Sequence, residues 1–280
     1  MKIFGTIEEI RQLSLALRHD GKTVALVPTM GYLHEGHMAL VDAAKKAADA
    51  VIVSIFVNPT QFAPNEDLAK YPRDFESDRK LCEKRGVCAI FAPSSEEMYP
   101  DTPSAWVCEE EISKGLCGRS RPSHFRGVAT VVVKLFNATL PDMAVFGQKD
   151  AQQAAIIKRL VRDLNFPINI VVEPIVREED GLAMSSRNKY LSADERKKAL
   201  SISSSLKEAA SLAKSGKMKN AGEVAGFVEE QISKAGGKVD YVEIVDSDTF
   251  EKIIGNIQEP ALIAAAAFFG KTRLIDNIIC

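Results

Sequence analysis

Apolar and polar positions change their rhythm along the chain. In the first two thirds, short unbroken apolar runs alternate with longer segments of mixed polarity. Residues 23–28 (TVALVP), 51–57 (VIVSIFV) and 87–92 each predict a strand covered on both faces, since a strand with one wet face would alternate. Residues 143–146 are a shorter run of this kind, and 169–176 another, interrupted by Pro174. Between them, 38–50, 73–85 and 151–164 are rich in helix formers, with Gly86 as a C-terminal stop for the second. Residues 127–138 predict a further helix despite the stiffness of their valines. Strands alternating with helices predict a doubly wound α/β fold, a parallel sheet with helices on both faces. Ligands of such sheets bind beyond the carboxyl ends of the strands. The residues after Pro28, Val57, Phe146 and Val176 are therefore the ones to inspect.

The rhythm changes after about residue 190. Residues 193–215 and 221–235 predict two long helices, and the serine-rich 201–205 falls on the surface of the first. Three strand candidates follow, at 239–245, 262–269 and 272–275. The expectation is a Rossmann-like domain over residues 1–177 and a smaller C-terminal α+β domain over 178–280.

Composition narrows the class. Of 280 residues, 46% are apolar and 26% charged, which excludes a disordered, collagenous or coiled-coil chain. The longest uncharged apolar run, 261–269, is far short of the ~20 residues of a membrane span and predicts a buried strand. Lys plus Arg is 36 and Asp plus Glu 38, so the net charge is 36 − 38 = −2. That balance lacks the basic footprint of a nucleic-acid binder. Cysteines fall at 82, 88, 108, 117 and 280, an odd count without a CxxC pair. They predict free thiols in a reducing cytoplasm, and no secretory signal precedes Glu8 and Glu9.

The candidate chemistry lies directly after the first strong strand, in Thr29-Met30-Gly31-Tyr32-Leu33-His34-Glu35-Gly36-His37. A helix starting near Glu35 would present free N–H groups and the positive end of its dipole to an anion. His34 and His37, three apart, would share one face of that helix. Two imidazoles there suit hydrogen bonding to phosphate and offsetting charge in phosphoryl transfer. A metal pair or a purely structural pair are the alternatives, although no further Cys or His stands nearby to complete a metal site. Gly147-Gln148-Lys149-Asp150 follows another strand. There Lys149 could reach phosphate, and Asp150 could cap a helix or accept from a ribose hydroxyl.

His34-Glu35-Gly36-His37 resembles the HxGH signature of the nucleotidyltransferase superfamily that includes the class I aminoacyl-tRNA synthetases. Four longer stretches are similar to the pantoate–β-alanine ligase family: Val27-Pro28-Thr29-Met30-Gly31, SIFVNPTQF at 54–62, HFRGVAT at 124–130 and DGLAMSSRN at 180–188. The likeness runs on to the C-terminal TRLIDN at 272–277. The resemblance implies a two-step ligation. ATP and (R)-pantoate give pantoyl adenylate and pyrophosphate, and the amine of β-alanine then displaces AMP to give pantothenate. Mg²⁺ accompanies ATP, with no metal site of the protein's own and no tightly bound prosthetic group. A cytoplasmic homodimer without nucleic-acid or membrane partners is expected.

The resemblance also implies site residues. His34, His37, Lys149, Ser185, Ser186 and Arg187 would carry catalysis. ATP would lie along Met30, Gly31, Tyr32, Leu33, His34, Glu35, Gly36 and His37, along Gly147, Gln148, Lys149 and Asp150, and along Met184, Ser185, Ser186 and Arg187. Val176 would offer its backbone to adenine. The Met184–Arg187 stretch, which resembles the superfamily's phosphate loop, would be a mobile segment behind the acidic Glu178-Glu179-Asp180-Gly181. Gln61, Gln153 and Asn58 would hold pantoate or β-alanine, a glutamine matching hydroxyls and a carboxylate together. His124, Arg126 and Lys134 carry no assigned role. Gln148 stands where the family often has glutamate, which changes a charge beside Lys149. Another HxGH-type nucleotidyltransferase, or a non-catalytic nucleotide binder, are the competing readings; the intact histidines and the SSR segment weigh against the latter.

Overall fold

The computed structural model describes residues 1–64 and 66–280. Two compact units form. The first comprises Met1–Glu110, Arg121–Gly147 and Ile156–Pro174, and the second Glu111–Ser120, Gln148–Ala155 and Ile175–Cys280.

The elements run β1 (Lys2–Phe4), α1 (Ile7–His19), β2 (Val24–Thr29), α2 (Glu35–Ala47), β3 (Ala50–Ile55), α3 (Phe75–Lys84), β4 (Ala89–Phe91), α4 (Ser95–Met98), α5 (Leu116–Ser120), α6 (His124–Thr139), β5 (Met143–Gly147), α7 (Ala151–Asp163) and β6 (Asn169–Glu173). Six parallel strands make one sheet in the order β1-β4-β3-β2-β5-β6. This is the expected doubly wound fold. The chain leaves β2 in one direction through β3 and β4, then returns to place β5 and β6 on its other side. The switch point therefore lies between β2 and β5, and the ligand crevice opens past Thr29 and Gly147.

The apolar runs become strands because both faces are covered. Val27, Val41, Val53, Ile90 and Val145 are fully buried in one cluster. Boundaries shift where side chains decide them. The helix formers begin at residue 38, but the helix starts at Glu35, as the HEGH segment suggested, because His34 caps it. It ends at Ala47, and Asp49 accepts from the Thr23 N–H and hydroxyl at 2.9 and 2.8 Å, tying the start of β3 to that of β2. β6 stops before Pro174, which has no N–H for a ladder. The first strand and helix were not expected; a capping box between Thr6 and Glu9 opens that helix.

In the second unit, α8 (Ala193–Lys214) and α9 (Ala221–Lys234) accompany an antiparallel sheet of β7 (Lys238–Asp246), β8 (Ala261–Phe269) and β9 (Thr272–Ile279), ordered β7-β8-β9. The alanine-rich β8 lets Ile202 and Leu206 of α8 pack closely on it, and Val228 and Ile232 of α9, which lies against β7, join the same buried cluster. β9 runs four residues beyond its expected end. Asp276 and Asn277 interrupt its apolar pattern, yet both are buried inside it at 4% exposure. Among the described residues, no helix is long and apolar enough to cross a membrane.

Candidate active site

The HEGH segment sits where the sheet rule places a ligand, between the end of β2 and the first turn of α2. Gly31 adopts a left-handed conformation (φ 81°), and a Cβ there would meet an Asp78 oxygen and Ile55 at 3.0 Å. Tyr32 is also left-handed (φ 52°), a costly state for a non-glycine residue. It is held by Asp78 of α3, whose carboxylate accepts from the N–H groups of Tyr32 at 2.9 Å and Leu33 at 2.6 Å. Asp78 is only 2% exposed. Burial pushes its carboxyl above the ordinary range, against the pull of those two N–H groups.

The histidines cap their own helix. The Gly36 N–H donates to His34 Nδ1 at 3.2 Å, and the His34 N–H donates to His37 Nδ1 at 3.3 Å. A neutral imidazole that accepts at Nδ1 carries its proton at Nε2. Both rings are therefore set as Nε2–H donors, with centroids 4.1 Å apart. Glu35 is drawn away by Arg85 at 2.6 Å.

Beyond β3, the turn Pro59–Gln61 presents Gln61. Its side-chain oxygen accepts from Asn58 Nδ2 at 3.1 Å, and its amide lies 3.0 Å from the Met30 sulfur. Asn58 is 1% exposed. It also donates to the Gly127 carbonyl, while its oxygen accepts from the Thr60 N–H and hydroxyl and from Tyr99. Its hydrogen-bonding capacity is thus engaged within the protein. His124 Nδ1 lies 2.9 Å from the Gln61 carbonyl, and Arg121 donates to the same oxygen while gripping Glu66. Burial raises the Glu66 carboxyl, but the bond and charge of Arg121 outweigh it and hold the group low. Gly127 lets α6 approach this turn; a Cβ there would lie 2.5–2.6 Å from Thr60 and Gln61 backbone atoms. Arg126 stacks on Trp106 and Lys134 lies over Tyr99.

In the second unit, Lys149 sits in the turn Gln148–Asp150 that opens α7, with its ammonium 3.5 Å from Asp150. Gln153 is half-buried in the first turn of α7. Met184 donates its N–H to the Val176 carbonyl at 3.0 Å, closing a hairpin bridged by Arg177 and Ala183. Ser185 caps the turn Ser186–Tyr190, accepting from the Arg187 N–H at 3.3 Å. Lys149, Ser185, Asn188 and Asp276 line one small pocket. Glu178 and Asp180, in the acidic loop before the Met184–Arg187 segment, are engaged. Arg196 of α8 binds Glu178 at 2.6 Å and Asp180 at 2.7 Å, and Asn188 donates to Glu178 at 2.6 Å. Spacing could not show that partner, which lies on a later helix.

Three supports went unrecognised as such in the sequence: Asp78, Asn277 and the fully engaged role of Asn58. A buried carboxylate in an otherwise polar helix has no local signature, and Asp78 reads as one more charge on α3.

The chain was compared with known proteins. A family model described as pantoate-beta-alanine ligase matches residues 2–279. A pantothenate synthetase of Thermotoga petrophila is 55% identical over 280 residues, covering all of this chain and 99% of that protein. One of Acetivibrio thermocellus is 51% identical with the same coverage. Among solved structures, pantothenate synthetase from Thermus thermophilus matches with TM-score 0.92 and 42% identity over 99% of both chains. A pantoate-beta-alanine ligase from Francisella tularensis, complexed with beta-gamma ATP and beta-alanine, matches with TM-score 0.83 and 34% identity over 100% of this chain and 97% of that one.

Proposed function

The chain belongs to the pantoate–β-alanine ligase family, and on that premise we propose how its residues divide the chemistry. The enzyme condenses (R)-pantoate with β-alanine to pantothenate, using ATP. A carboxylate cannot acylate an amine directly, because its leaving group would be oxide. Pantoate therefore attacks the α-phosphorus of ATP, a new P–O bond forms, and the bond to the β-phosphate breaks to release pyrophosphate. The amine of β-alanine then attacks the acyl carbon of pantoyl adenylate. The C–N bond forms, the C–O bond to AMP breaks, and the amine gives up a proton.

Little covalent chemistry falls to the protein in the first step, so positioning and charge stabilisation dominate. His34 and His37 direct their Nε2–H groups at phosphate oxygens as charge develops there. Lys149, Ser185, Ser186 and Arg187 hold the β- and γ-phosphates, which carry Mg²⁺ as part of the nucleotide substrate. Val176 gives backbone contact to adenine. Gln61 and Gln153 orient pantoate, while Asn58 fixes the Gln61 side chain. We place this activity in the cytoplasm and in a homodimer, the commonest form of soluble oligomer.

The observation that carries this reading is the pair of imidazoles at the start of α2, each accepting a backbone N–H at Nδ1. The test is to incubate the protein with ATP, pantoate and Mg²⁺, with and without β-alanine. Pyrophosphate and pantoyl adenylate should appear without the amine, and AMP and pantothenate with it. Transfer of a nucleotidyl group to another acceptor, with no pantothenate formed, would favour the broader HxGH class.

A further inference from the structure

The C-terminal TRLIDN segment has no place in the chemistry above, yet it places two polar side chains in the interior of β9. We propose that Asp276 and Asn277 are positioning residues that hold the two phosphate-directed segments of the second unit in register. The proposal rests on the reading that Lys149 and the Ser185–Arg187 segment grip ATP phosphates.

Asn277 Nδ2 donates to the carbonyls of Gln148 at 2.9 Å and Lys149 at 3.1 Å, and its oxygen accepts from the Gln148 side chain at 3.3 Å. One amide thus fixes the backbone turn that carries Lys149. The next residue back serves the other segment. Asp276 takes a bidentate pair from Arg177, at 2.7 and 3.1 Å, and accepts from the Asn277 N–H at 2.8 Å. Arg177 also donates to the Gly181 carbonyl at 3.2 Å, locking the hairpin that delivers Met184 and Ser185. Bidentate arginine–carboxylate pairs fix direction as well as distance. Two adjacent side chains on one strand therefore set the base of both segments. Successive strand residues point to opposite faces, so the two side chains take different partners, Asn277 the Lys149 turn and Asp276 the Arg177 hairpin. A one-residue change of register would cost both contacts.

The test uses Asn277→Ala and Asn277→Asp, each alone and combined with Lys149→Ala. The Asp variant keeps size and packing but cannot donate, so it separates the hydrogen bonds from the filling of space and serves if the Ala variant does not fold. A displacement of about 1 Å can cost about a hundredfold in rate. Both variants should lose at least about tenfold in kcat/KM for ATP with KM for pantoate unchanged, and their thermal midpoints should fall as well, because buried carbonyls lose their donor. Added to Lys149→Ala they should cost little more, because they act through that lysine. Asp276→Asn should give the same ATP-selective loss through the hairpin. If Lys149→Ala leaves the KM for ATP intact, the phosphate reading itself falls. If Lys149→Ala is damaging but the Asn277 variants are not, or if their losses multiply with that of Lys149→Ala, the positioning role is wrong. A loss that falls equally on pantoate and ATP would reduce both residues to fold stabilisers.

Discussion

The HEGH loop of the first unit and the Lys149 and Ser185 segments of the second, for which we propose roles toward ATP, are supported in different ways. In the first unit, the HEGH loop is held partly by its own histidines and partly from α3. Its histidines cap the helix they begin, and one buried carboxylate from α3 takes two consecutive backbone N–H groups. In the second unit, neither segment caps itself in that way at its base: the Lys149 turn and the Arg177 hairpin are tied by Asp276 and Asn277 of β9, about a hundred residues further along the chain. The histidine caps form with their own helix, whereas the Asp78 bonds wait on the packing of α3. A loop tied by long-range bonds is ordered only when the whole unit is complete. On the proposed reading, donors aimed at the reacting α-phosphate would gain from preorganisation, while a grip on the outer phosphates would be made and released in each cycle.

The largest effect should come from the locally held loop. His37→Ala and His34→Ala should each slow pyrophosphate release by a hundredfold or more, since a lost donor to developing charge costs about 3 kcal/mol. Thermal stability should change far less. Near-normal release in both variants would remove the imidazoles from the chemistry.

Asp78→Ala should come next, and should register in folding as well as in rate. It strands the N–H groups of Tyr32 and Leu33, and a buried donor without a partner costs about 1–3 kcal/mol. Denaturant unfolding should show a loss in that range or above it, together with slower adenylation. A stable variant with full activity would mean that the loop holds its left-handed turn unaided.

Arg187→Ala is the test that separates the two regions by reaction step. It should slow pyrophosphate formation from ATP and pantoate. It should spare the reaction of preformed pantoyl adenylate with β-alanine, which has no β- or γ-phosphate to hold. Single-turnover comparison of the half-reactions decides this, and equal damage to both would end the clamp role. Gln61→Ala and Gln153→Ala should act on pantoate instead. Calorimetry should show pantoate binding weakened by about 1–3 kcal/mol for a lost buried partner, with ATP binding little changed.

The legibility of the sequence follows the same division. The parallel sheet was readable because strands buried on both faces leave continuous apolar runs, and the ligand rule then pointed to Met30–His37 and Gly147–Asp150. The HEGH and SSR motifs were visible as text. The supports were not. Asp78 differs in no local way from Asp74, yet one is buried under a loop and the other caps a helix. Asn277 falls beyond the strand expected at 272–275, and nothing near Glu178 and Asp180 in sequence marks their partners, because these are set by tertiary packing. The short β1 and α1 had a usable signal, Thr6 with Glu9 in a capping box, that the apolar pattern alone passed over.

The smallest expected effect concerns how tightly the first region is closed. Cys82 lies on α3 one turn beyond Asp78 and is fully buried. Burial, with a smaller contribution from the Asp78 charge, pushes its thiol up to about 12. Only the thiolate reacts with alkylating reagents. In mildly alkaline buffer, native protein should therefore label rapidly at the exposed Cys108 while Cys82 stays unmodified, as peptide mass mapping would show. Asp78→Asn keeps the shape of the side chain but removes its negative charge. Labelling of Cys82 should then rise only slightly, because burial is the larger cause of its high pKa. A large rise would mean that the variant opens α3, so that Asp78 closes the whole region rather than the loop alone. Labelling of Cys82 in the parent protein as fast as Cys108 would show that α3 already opens freely, and Asp78 could not then be the fixed support of the loop.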